Sequence, residues 1–399
     1  MKDVVRIAHF SDTHLGYRAG SRFDPETSRN QRSIDTDHAF TRTIDDIIAR
    51  QPDGAIHSGD VFHHARPTWQ SLRHFIRQMR RLEMAGIPTL VIAGNHDTPR
   101  IRTGGSAYSV LELALPGIRF VTDYADIHDV DTFGALDLHV HAIPHGALTN
   151  PDPVVASVLH GKRNVLVTHG AAPGVLPAGL FTEPGEQELG AHLLDRDFDY
   201  IALGHIHQAQ QVTAEGWYAG STERFGWNDL TAVPGYNVVS IAGPGESIDV
   251  THVELPARPM IALKPVYGDG RQARDVANAV IEQLQEIDDH SAMTRVELRK
   301  IDRPQRREAQ GLLKREAGAY TWSLEIAPER AGFVAEGGTE IADDTTLDLH
   351  ALFTEFVASR TSIYPNEAFA AMLLDRGGRA LTDAMLAESN PTPEDDAVS

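Results

Sequence analysis

Short apolar runs recur through the first half of the chain, each closed by a glycine or a small polar residue. Val4–Phe10, Thr89–Ile92, Val165–Val167 and Tyr200–Leu203 are of this kind. They are short and mostly β-branched or aliphatic, so they read as buried strands. Helical periodicity fills the intervals. Thr36–Arg50 reads as a helix, and Thr68–Ala85 as another with Leu72, Phe75, Ile76, Met79 and Leu82 on one face. Further strands are expected near Ile118–Thr122 and Leu136–Ile143, suggesting a second sheet packed on the first. This alternation, to about residue 255, predicts an α/β fold. Gly226–Gly235 and Ala242–Gly245 read as turns near its end.

A second pattern starts near Pro256. Met260–Val266, Met293–Lys300 and Tyr320–Ile326 are strand-like, and Ala273–Ile287 and Gln305–Ala317 are helical, which predicts a small α/β module over 256–328. Residues 329–346 are acidic and contain glycine, as in a linker. Helical stretches follow at Leu347–Ala358, Pro365–Asp375 and Arg379–Glu388, within a segment spanning 347–389. Their apolar residues are too few to form a core, so this hairpin should dock on the chain's own body or on a partner helix. Residues 390–399 read as disordered.

The chemistry lies in what ends the strands. Asp12 and His14 follow the first run, in AHFSDTHLG. Asp60 follows a second, in AIHSGDVF. Asn95, His96 and Asp97 close LVIAGNHD, His169 closes NVLVTHG, and His205 and His207 close YIALGHIH. Ligands of open α/β sheets bind just outside the carboxyl ends of the strands. Five such ends would bring carboxylate, amide and imidazole groups to one rim, as a two-metal hydrolytic site requires. Asp12 and His14 are two apart, so a strand continued past Phe10 would show both on one side. Mixed oxygen and imidazole donors suit manganese, iron or zinc better than magnesium or calcium.

Composition narrows this reading. The 399 residues are 41% hydrophobic and 23% charged, ordinary for a soluble protein and ample for two or three domains. The absence of cysteine removes disulfides and thiolate metal sites. With neither a signal-peptide pattern nor a membrane-length apolar stretch, a cytoplasmic, nucleoid-associated location without membrane attachment is expected. The net charge of −20 argues at first against nucleic acid, but it is unevenly spread. Residues 1–110 carry 15 Lys/Arg against 12 Asp/Glu, and the remainder 21 against 44. Phosphate binding follows local potential rather than the total.

Taken in order, the motifs D-x-H, G-D, G-N-H-D, H and G-H-x-H resemble the signature of calcineurin-like binuclear metallophosphoesterases. The flanks resemble one branch, the SbcD-type DNA repair nucleases and their archaeal and eukaryotic counterparts. These flanks are His14-Leu15-Gly16-Tyr17, Asp60-Val61-Phe62-His63 with Arg66-Pro67, and Tyr218-Ala219-Gly220-Ser221-Thr222-Glu223-Arg224. The resemblance implies a four-layer sandwich of two central sheets flanked by helices, with a small α/β DNA-capping domain and a C-terminal helical hairpin. It implies two divalent metal ions, manganese first. Asp12, His14, Asp60 and His207 would hold one, and Asp60, Asn95, His169 and His205 the other. Such ions polarise the phosphoryl group and supply the nucleophile without a covalent enzyme intermediate. His96 would face the scissile phosphate as proton donor or charge stabiliser, with Asp97 fixing its orientation and His63 a second histidine nearby. Tyr17 and Arg66 would touch DNA. The implied activity is exonuclease and endonuclease cleavage at DNA ends and hairpins in double-strand-break repair, by a homodimer with an SbcC-like coiled-coil ATPase.

Other polar residues read more plainly. His9 and His57 lie within strand runs and are expected to be packed core histidines. His139, His141 and His145 resemble a metal cluster but fall outside the motif series and read as structural. The arginines of Thr68–Ala85 (Arg73, Arg77, Arg80 and Arg81) and the run Arg299, Lys300, Arg303, Arg306 and Arg307 are expected on solvated faces. Two other functions share the ligand set: a small-nucleotide phosphodiesterase or phosphatase, and a non-catalytic scaffold that binds DNA ends.

Overall fold

Two sheets lie face to face, and each apolar run noted in the sequence is a strand covered on both sides. The structure is a computed structural model describing residues 3–101, 105–126, 133, 136–150, 158–175, 187–195 and 197–327, with Thr354, Val357, Ala371, Met372, Leu374 and Gly377. In the first sheet β1 (Val5–Phe10), β2 (Gly54–His57), β3 (Thr89–Ile92) and β4 (Ile118–Val121) run parallel. The helices α1 (Gln31–Arg50), α2 (Trp69–Met84) and α3 (Tyr108–Ala114) connect them. In the second sheet β5 (Leu138–Ile143), β6 (Arg163–His169) and β7 (Tyr200–Gly204) are parallel, and β8 (Gln210–Gln211) and β9 (Gly216–Tyr218) complete its edge. The chain then returns to the first sheet, where β10 (Gly235–Ile241) and β11 (Ile248–Glu254) add antiparallel beside β1.

Side-chain parity sorts the core into layers, because successive residues of a strand point to opposite faces. Val5, Ile7, Ile56, Leu90 and Ile92 meet Val140, Val165, Val167, Tyr200 and Ala202 between the sheets. Ala8, Phe10, Ala55 and Val91 face the helices, where Phe40, Ile44, Phe75 and Met79 cover them. Phe10, Phe40 and Phe75 are fully buried, each contributing about 1.5–3 kcal/mol of transfer free energy. The outer face of the second sheet carries Leu166, Ile201 and Leu203 under Leu189 and Leu193. Among the described residues its helical cover is two single turns, α4 (His145–Leu148) and α5 (Ala191–Leu194).

Beyond residue 256 the expected strands are present but broken. Met260–Val266 becomes β12 (Met260–Ala262) and β13 (Val266–Tyr267), with Pro265 unable to donate to a ladder between them. α6 (Ala273–Ile287) follows. Met293–Lys300 likewise divides into β14 (Met293–Val296) and β15 (Leu298–Arg299), ahead of α7 (Arg303–Glu316) and β16 (Ser323–Ile326). β12, β14 and β16 form one parallel sheet, and β13 and β15 a second pair. Asp302 caps α7 by accepting from the Gln305 amide at 2.8 Å, and Pro304 stands in the first turn. Val276, Val280 and Leu284 of α6 pack with Leu312 and Leu313 of α7 in a core of their own.

This module is fastened to the sandwich. Arg258 forks onto Asp35 of α1 with two bonds of 2.7 Å, and its guanidinium lies 4.4 Å over the Trp322 ring. Residues 1–328 make one compact unit and 329–399 another. In the second unit the described residues are single helical positions; the expected linker, the remainder of the hairpin and the tail lie outside the described residues. No described helix is long and apolar enough to cross a membrane.

Candidate metal centre

The loops after β1 and β2 are laced together by backbone hydrogen bonds. Asp12 donates its amide to Gly59 O at 3.0 Å, His14 to Asp60 O at 3.1 Å, and Leu15 to Val61 O at 2.8 Å. The strand does not continue past Phe10 as the sequence reading expected. Asp12 (φ 50°), His14 (φ 39°) and Asp60 (φ 56°) are all left-handed, and His205 has φ 106°. Left-handed residues break strand alternation, so loop lacing rather than period-two geometry brings Asp12 and His14 together. β6 runs two residues further than Val167, making His169 its last residue.

The glycines of these loops serve close approach. A Cβ on Gly94 would lie 2.1 Å from Asp60 Oδ1, and one on Gly204 would lie 2.1 Å from Ser58 O. Only a bare backbone lets the loops of two sheets meet over the Asp60 carboxylate.

Around that carboxylate the donors converge. Asp60 Oδ2 lies 3.4 Å from His169 Nε2, 3.6 Å from His14 Nε2 and 4.0 Å from His96 Nε2. On one side Asp12, His14 and His207 gather within coordination reach, with His14 Nε2 and His207 Nε2 3.2 Å apart. On the other, Asn95 Oδ1 is 2.9 Å from His169 Nε2 and 3.2 Å from His205 Nδ1. Asp12, Asp60 and His169 form another convergent group. Asp12 also accepts the His205 amide through both oxygens, at 3.2 and 3.1 Å. The seven residues expected to bind metal thus form two adjoining clusters with Asp60 between them.

Hydrogen-bond polarity shows that these clusters fit cations. His169 Nδ1 donates to the Ser58 carbonyl at 2.8 Å, which leaves Nε2 of the neutral ring as a lone pair. That lone pair faces the oxygens of Asn95 and Asp60, which are themselves acceptors. His207 Nδ1 is likewise held by the Asp229 carboxylate at 3.1 Å, so its Nε2 lone pair faces His14 Nε2. At His169, where a ring lone pair faces two oxygens in a buried site, a proton or a metal ion is needed between them. With no cysteine in the chain, the donor set is wholly oxygen and nitrogen.

The ionisation preferences agree. Burial disfavours charge on Asp60, but His169, His14 and His96 hold its carboxyl well below the usual range. Burial opposes the His169 imidazolium too, yet the Asp60 carboxylate lifts its pKa to about 9. Burial raises Asp12, against the pull of His169 and His207. Burial carries His14 well below its ordinary value. A proton on His169 therefore occupies the metal-free site where a cation would bind.

His96 stands at the edge of the clusters. Its Nδ1 lies 2.9 Å from the His63 carbonyl and so carries the proton, while Nε2 faces Asp60. Asp97 acts on it indirectly. Its carboxylate accepts the amides of Val61 and Phe62, each at 2.8 Å, and so fixes the loop that presents the His63 carbonyl. Burial, reinforced by Asp60, raises the Asp97 pKa to about 6. The His63 ring stacks on His96 with centroids 5.1 Å apart, and its Nδ1 is 3.4 Å from His14 Nδ1. Tyr17 packs its ring against His63 and Phe225 and donates its hydroxyl to the Phe225 carbonyl, leaving a ring surface rather than a free hydroxyl. Arg66 is exposed, and with Arg100, His64, His96 and His145 it lines a cleft of about 680 Å³ that opens beside Asn95.

The remaining histidines divide by strand parity. His9 bridges the sheets, bonding Tyr200 Oη at 2.6 Å and Ser58 Oγ at 2.8 Å; burial lowers its pKa to about 3. His57 bonds Thr13 and is likewise lowered to about 3 by burial. His139 and His141 lie on the outer face of β5, where His141 pairs with Asp126 at 2.7 Å. His145 differs from them, since it is buried against the cleft; burial, with a smaller push from His169, lowers its pKa to about 4. Arg81 reaches Asp45 and Gln78, Arg299 pairs with Glu297, and Arg306 bonds the carbonyls of Leu298 and Ala327.

Two neighbours of the centre had no signal in the sequence. Asp229 holds His207, and the Phe225 ring lies 4.7 Å from the His14 ring and 5.1 Å from the His207 ring. Asp229 sits in the Gly226–Gly235 segment that the sequence marks only as a turn, and Phe225 lies between that turn and the flank ending at Arg224.

The chain is 32% identical to the DNA double-strand break repair protein Mre11 of Haloferax volcanii over 74% of its length and 62% of that protein's. It is 32% identical to the Mre11 protein of Saccharolobus solfataricus over 53% of its own length and 52% of the other. The chain thus spans less than two thirds of either relative. Among solved structures, the purple acid phosphatase PPD1 of yellow lupin aligns with 64% of this chain and 52% of its own, at 13% identity and a TM-score of 0.39, too loose a likeness to carry an argument. The profile of the calcineurin-like phosphoesterases matches residues 5–209, which take in every residue of the two donor clusters, and the chain belongs to that family.

Proposed function

We propose that this protein is a metal-dependent DNA nuclease that hydrolyses phosphodiester bonds at DNA ends and hairpins, by exonuclease and endonuclease cleavage, in double-strand-break repair. The observation that carries the reading is His96, held at the joint between the two donor clusters and the arginine-bearing cleft. A phosphodiester in that cleft can meet His96 and the Asn95 side of the donor clusters at once, while the open cleft leaves room for the strand beyond them. The Mre11 proteins to which the chain is similar are named for DNA double-strand break repair, which favours DNA over a small nucleotide.

Asp12, His14, Asp60 and His207 would hold one divalent ion, and Asp60, Asn95, His169 and His205 the other; manganese suits the mixed donors. When bound, the ions supply charge neutralisation and polarisation at the phosphoryl oxygens. The chain's own residues do the rest. Ser58 O and Asp229 fix the tautomers of His169 and His207 so that Nε2 of each faces inward. With Nδ1 of His96 held by His63 O, the ring can take a second proton on Nε2 at the cleft edge, and as the imidazolium it can give that proton to the leaving oxygen or donate a hydrogen bond to a phosphoryl oxygen. His63 stacks behind it, Arg66 and Arg100 bring positive charge to the strand, and the Tyr17 ring borders the path.

On the same reading the 256–328 module caps bound DNA, and the 347–389 segment docks an SbcC-like coiled-coil ATPase. A homodimer fits the exposed apolar residues of the first-sheet helices: Trp69, Met84, Val110 and Leu113 are each more than half exposed.

The deciding experiment incubates end-labelled duplex and hairpin DNA with the full chain, Mn²⁺ or EDTA, with and without the ATPase. Cleavage in Mn²⁺ alone is expected. His96→Ala should keep two bound ions and lose roughly 10²–10⁴ in rate. Untouched DNA with rapid hydrolysis of small phosphodiesters would replace this reading with a nucleotide phosphodiesterase.

A further inference from the structure

The segment Phe225–Asp229 has two working faces. Inward, Asp229 accepts from His207 Nδ1 at 3.1 Å, and the Phe225 ring packs edge-on against both His14 and His207. Outward, the Trp227 indole N–H donates to Glu325 of β16 at 2.7 Å, and the Arg295 guanidinium lies 5.6 Å over the same indole. Arg295 also pairs with Glu325 at 3.3 Å, so indole, guanidinium and carboxylate form one cluster. The turn joining these faces is tight. Asp229 also accepts the amides of Phe225 at 2.8 Å and Gly226 at 3.3 Å, and Tyr17 and Arg32 bond the carbonyls of Phe225 and Arg224. One carboxylate therefore both closes the turn and orients a donor of the metal centre.

We propose that Asp229 is a positioning residue for His207, and that the Trp227–Glu325 contact makes the seating of the 256–327 module felt at that histidine. The inference rests on the reading of His14 and His207 as donors to one of two metal ions. Asp229 can only accept when ionised, so it fixes the proton of neutral His207 on Nδ1 and keeps the Nε2 lone pair towards His14. A shift of the module that pulls Trp227 outward moves the turn as a body, since Asp229 ties both its ends. The expected consequence is selective, because among the described residues the hydrogen bonds and ring contacts of this turn reach His14 and His207 and not the Asn95, His169 and His205 cluster. The ion held by Asp12, His14 and His207 weakens, and the other does not.

The test measures Mn²⁺ alone binding to the full chain, by titration calorimetry with electron paramagnetic resonance to count bound ions. Wild type must bind two ions; fewer would defeat the two-metal reading itself, independently of the role of Asp229. Asp229→Asn should weaken one ion by about 10–100-fold, the usual effect of losing an orienting partner, and leave the second within twofold. Trp227→Phe keeps a ring for Arg295 but loses the donor, and Glu325→Ala lies on the far side of the contact. Each should weaken the same ion several-fold, and neither should add to Asp229→Asn when combined with it. A general loss of folding would weaken both ions together. If Asp229→Asn leaves both affinities unchanged, the positioning role is wrong. If Trp227→Phe and Glu325→Ala bind as wild type, or add fully to Asp229→Asn, the coupling is wrong.

Discussion

Raising the pH of the metal-free protein tests whether His169 holds a proton where a cation belongs. Burial disfavours the imidazolium, but Asp60 Oδ2 at 3.4 Å overrides it and brings the pKa to about 9, against 6.5 for an unperturbed histidine. Because the folded value is the higher, the stabilisation is complete below pH 6.5 and is lost as pH rises through 9. That gap converts to about 3 kcal/mol of folding stability, since each pKa unit is worth about 1.4 kcal/mol. Asp97 obeys the same sign at about 6, so its loss is over before that of His169 is well under way. A divalent ion must displace the His169 proton, so apparent Mn²⁺ affinity should rise by close to tenfold per pH unit below pH 8 and flatten towards 9, about 50-fold from pH 7 to 9. Urea denaturation of the chelator-treated protein between pH 6 and 9 reads the first quantity. Titration calorimetry in buffers of different ionisation enthalpy reads the second, as proton release on binding. Stability that stays flat from pH 6.5 to 9, together with binding that releases no proton, would refute the reasoning.

Two further outcomes follow from contacts of the fold. Gly94→Ala places a Cβ 2.1 Å from Asp60 Oδ1 and forces a shift of about 1 Å in a closely packed site. Titration calorimetry should show at most one Mn²⁺ bound; two ions held with wild-type affinity would show that the close approach is not needed. Arg258→Ala removes both bonds to Asp35 and the stacking on Trp322, but leaves Asp35 paired with Arg32, so a cost of about 2 kcal/mol is expected. Limited proteolysis should then cut between the sandwich and the 256–327 module before either core is degraded; unchanged resistance would contradict the assigned fastening.

The strands and their terminal donors were legible because fully buried parallel strands must be apolar, and the first polar residue after one stands out. The lacing of Asp12 and His14 to the β2 loop was not legible. It depends on left-handed backbone at three non-glycine residues, and Asp and His give only a weak local signal for that conformation. The two breaks beyond Pro256 have unequal signals. Pro265 marks the first, while the division of Met293–Lys300 follows from its partners β12 and β13 having already parted. Asp229 was hidden for another reason. Its role is defined by a histidine 22 residues earlier, across a turn whose shape no periodicity encodes.

The histidines show how little separates a donor from a core residue in such a chain. His57 ends β2 as His169 ends β6; both are fully buried and both close largely apolar strands. Yet burial carries His57 down to about 3, while Asp60 carries His169 up to about 9. Parity makes the difference. His57 shares its side of the sheet with Ala55 and packs edge-on to Phe10 at 4.8 Å on the helix side, bonding a threonine hydroxyl. His169 shares its side with Val165 and Val167 and turns inward, where the loops after β2 and β3 deliver Asp60 and Asn95. One residue of register would exchange these environments, because alternation is strict within a strand. The chemistry of the centre is therefore set as much by which face each strand buries as by which residue ends it.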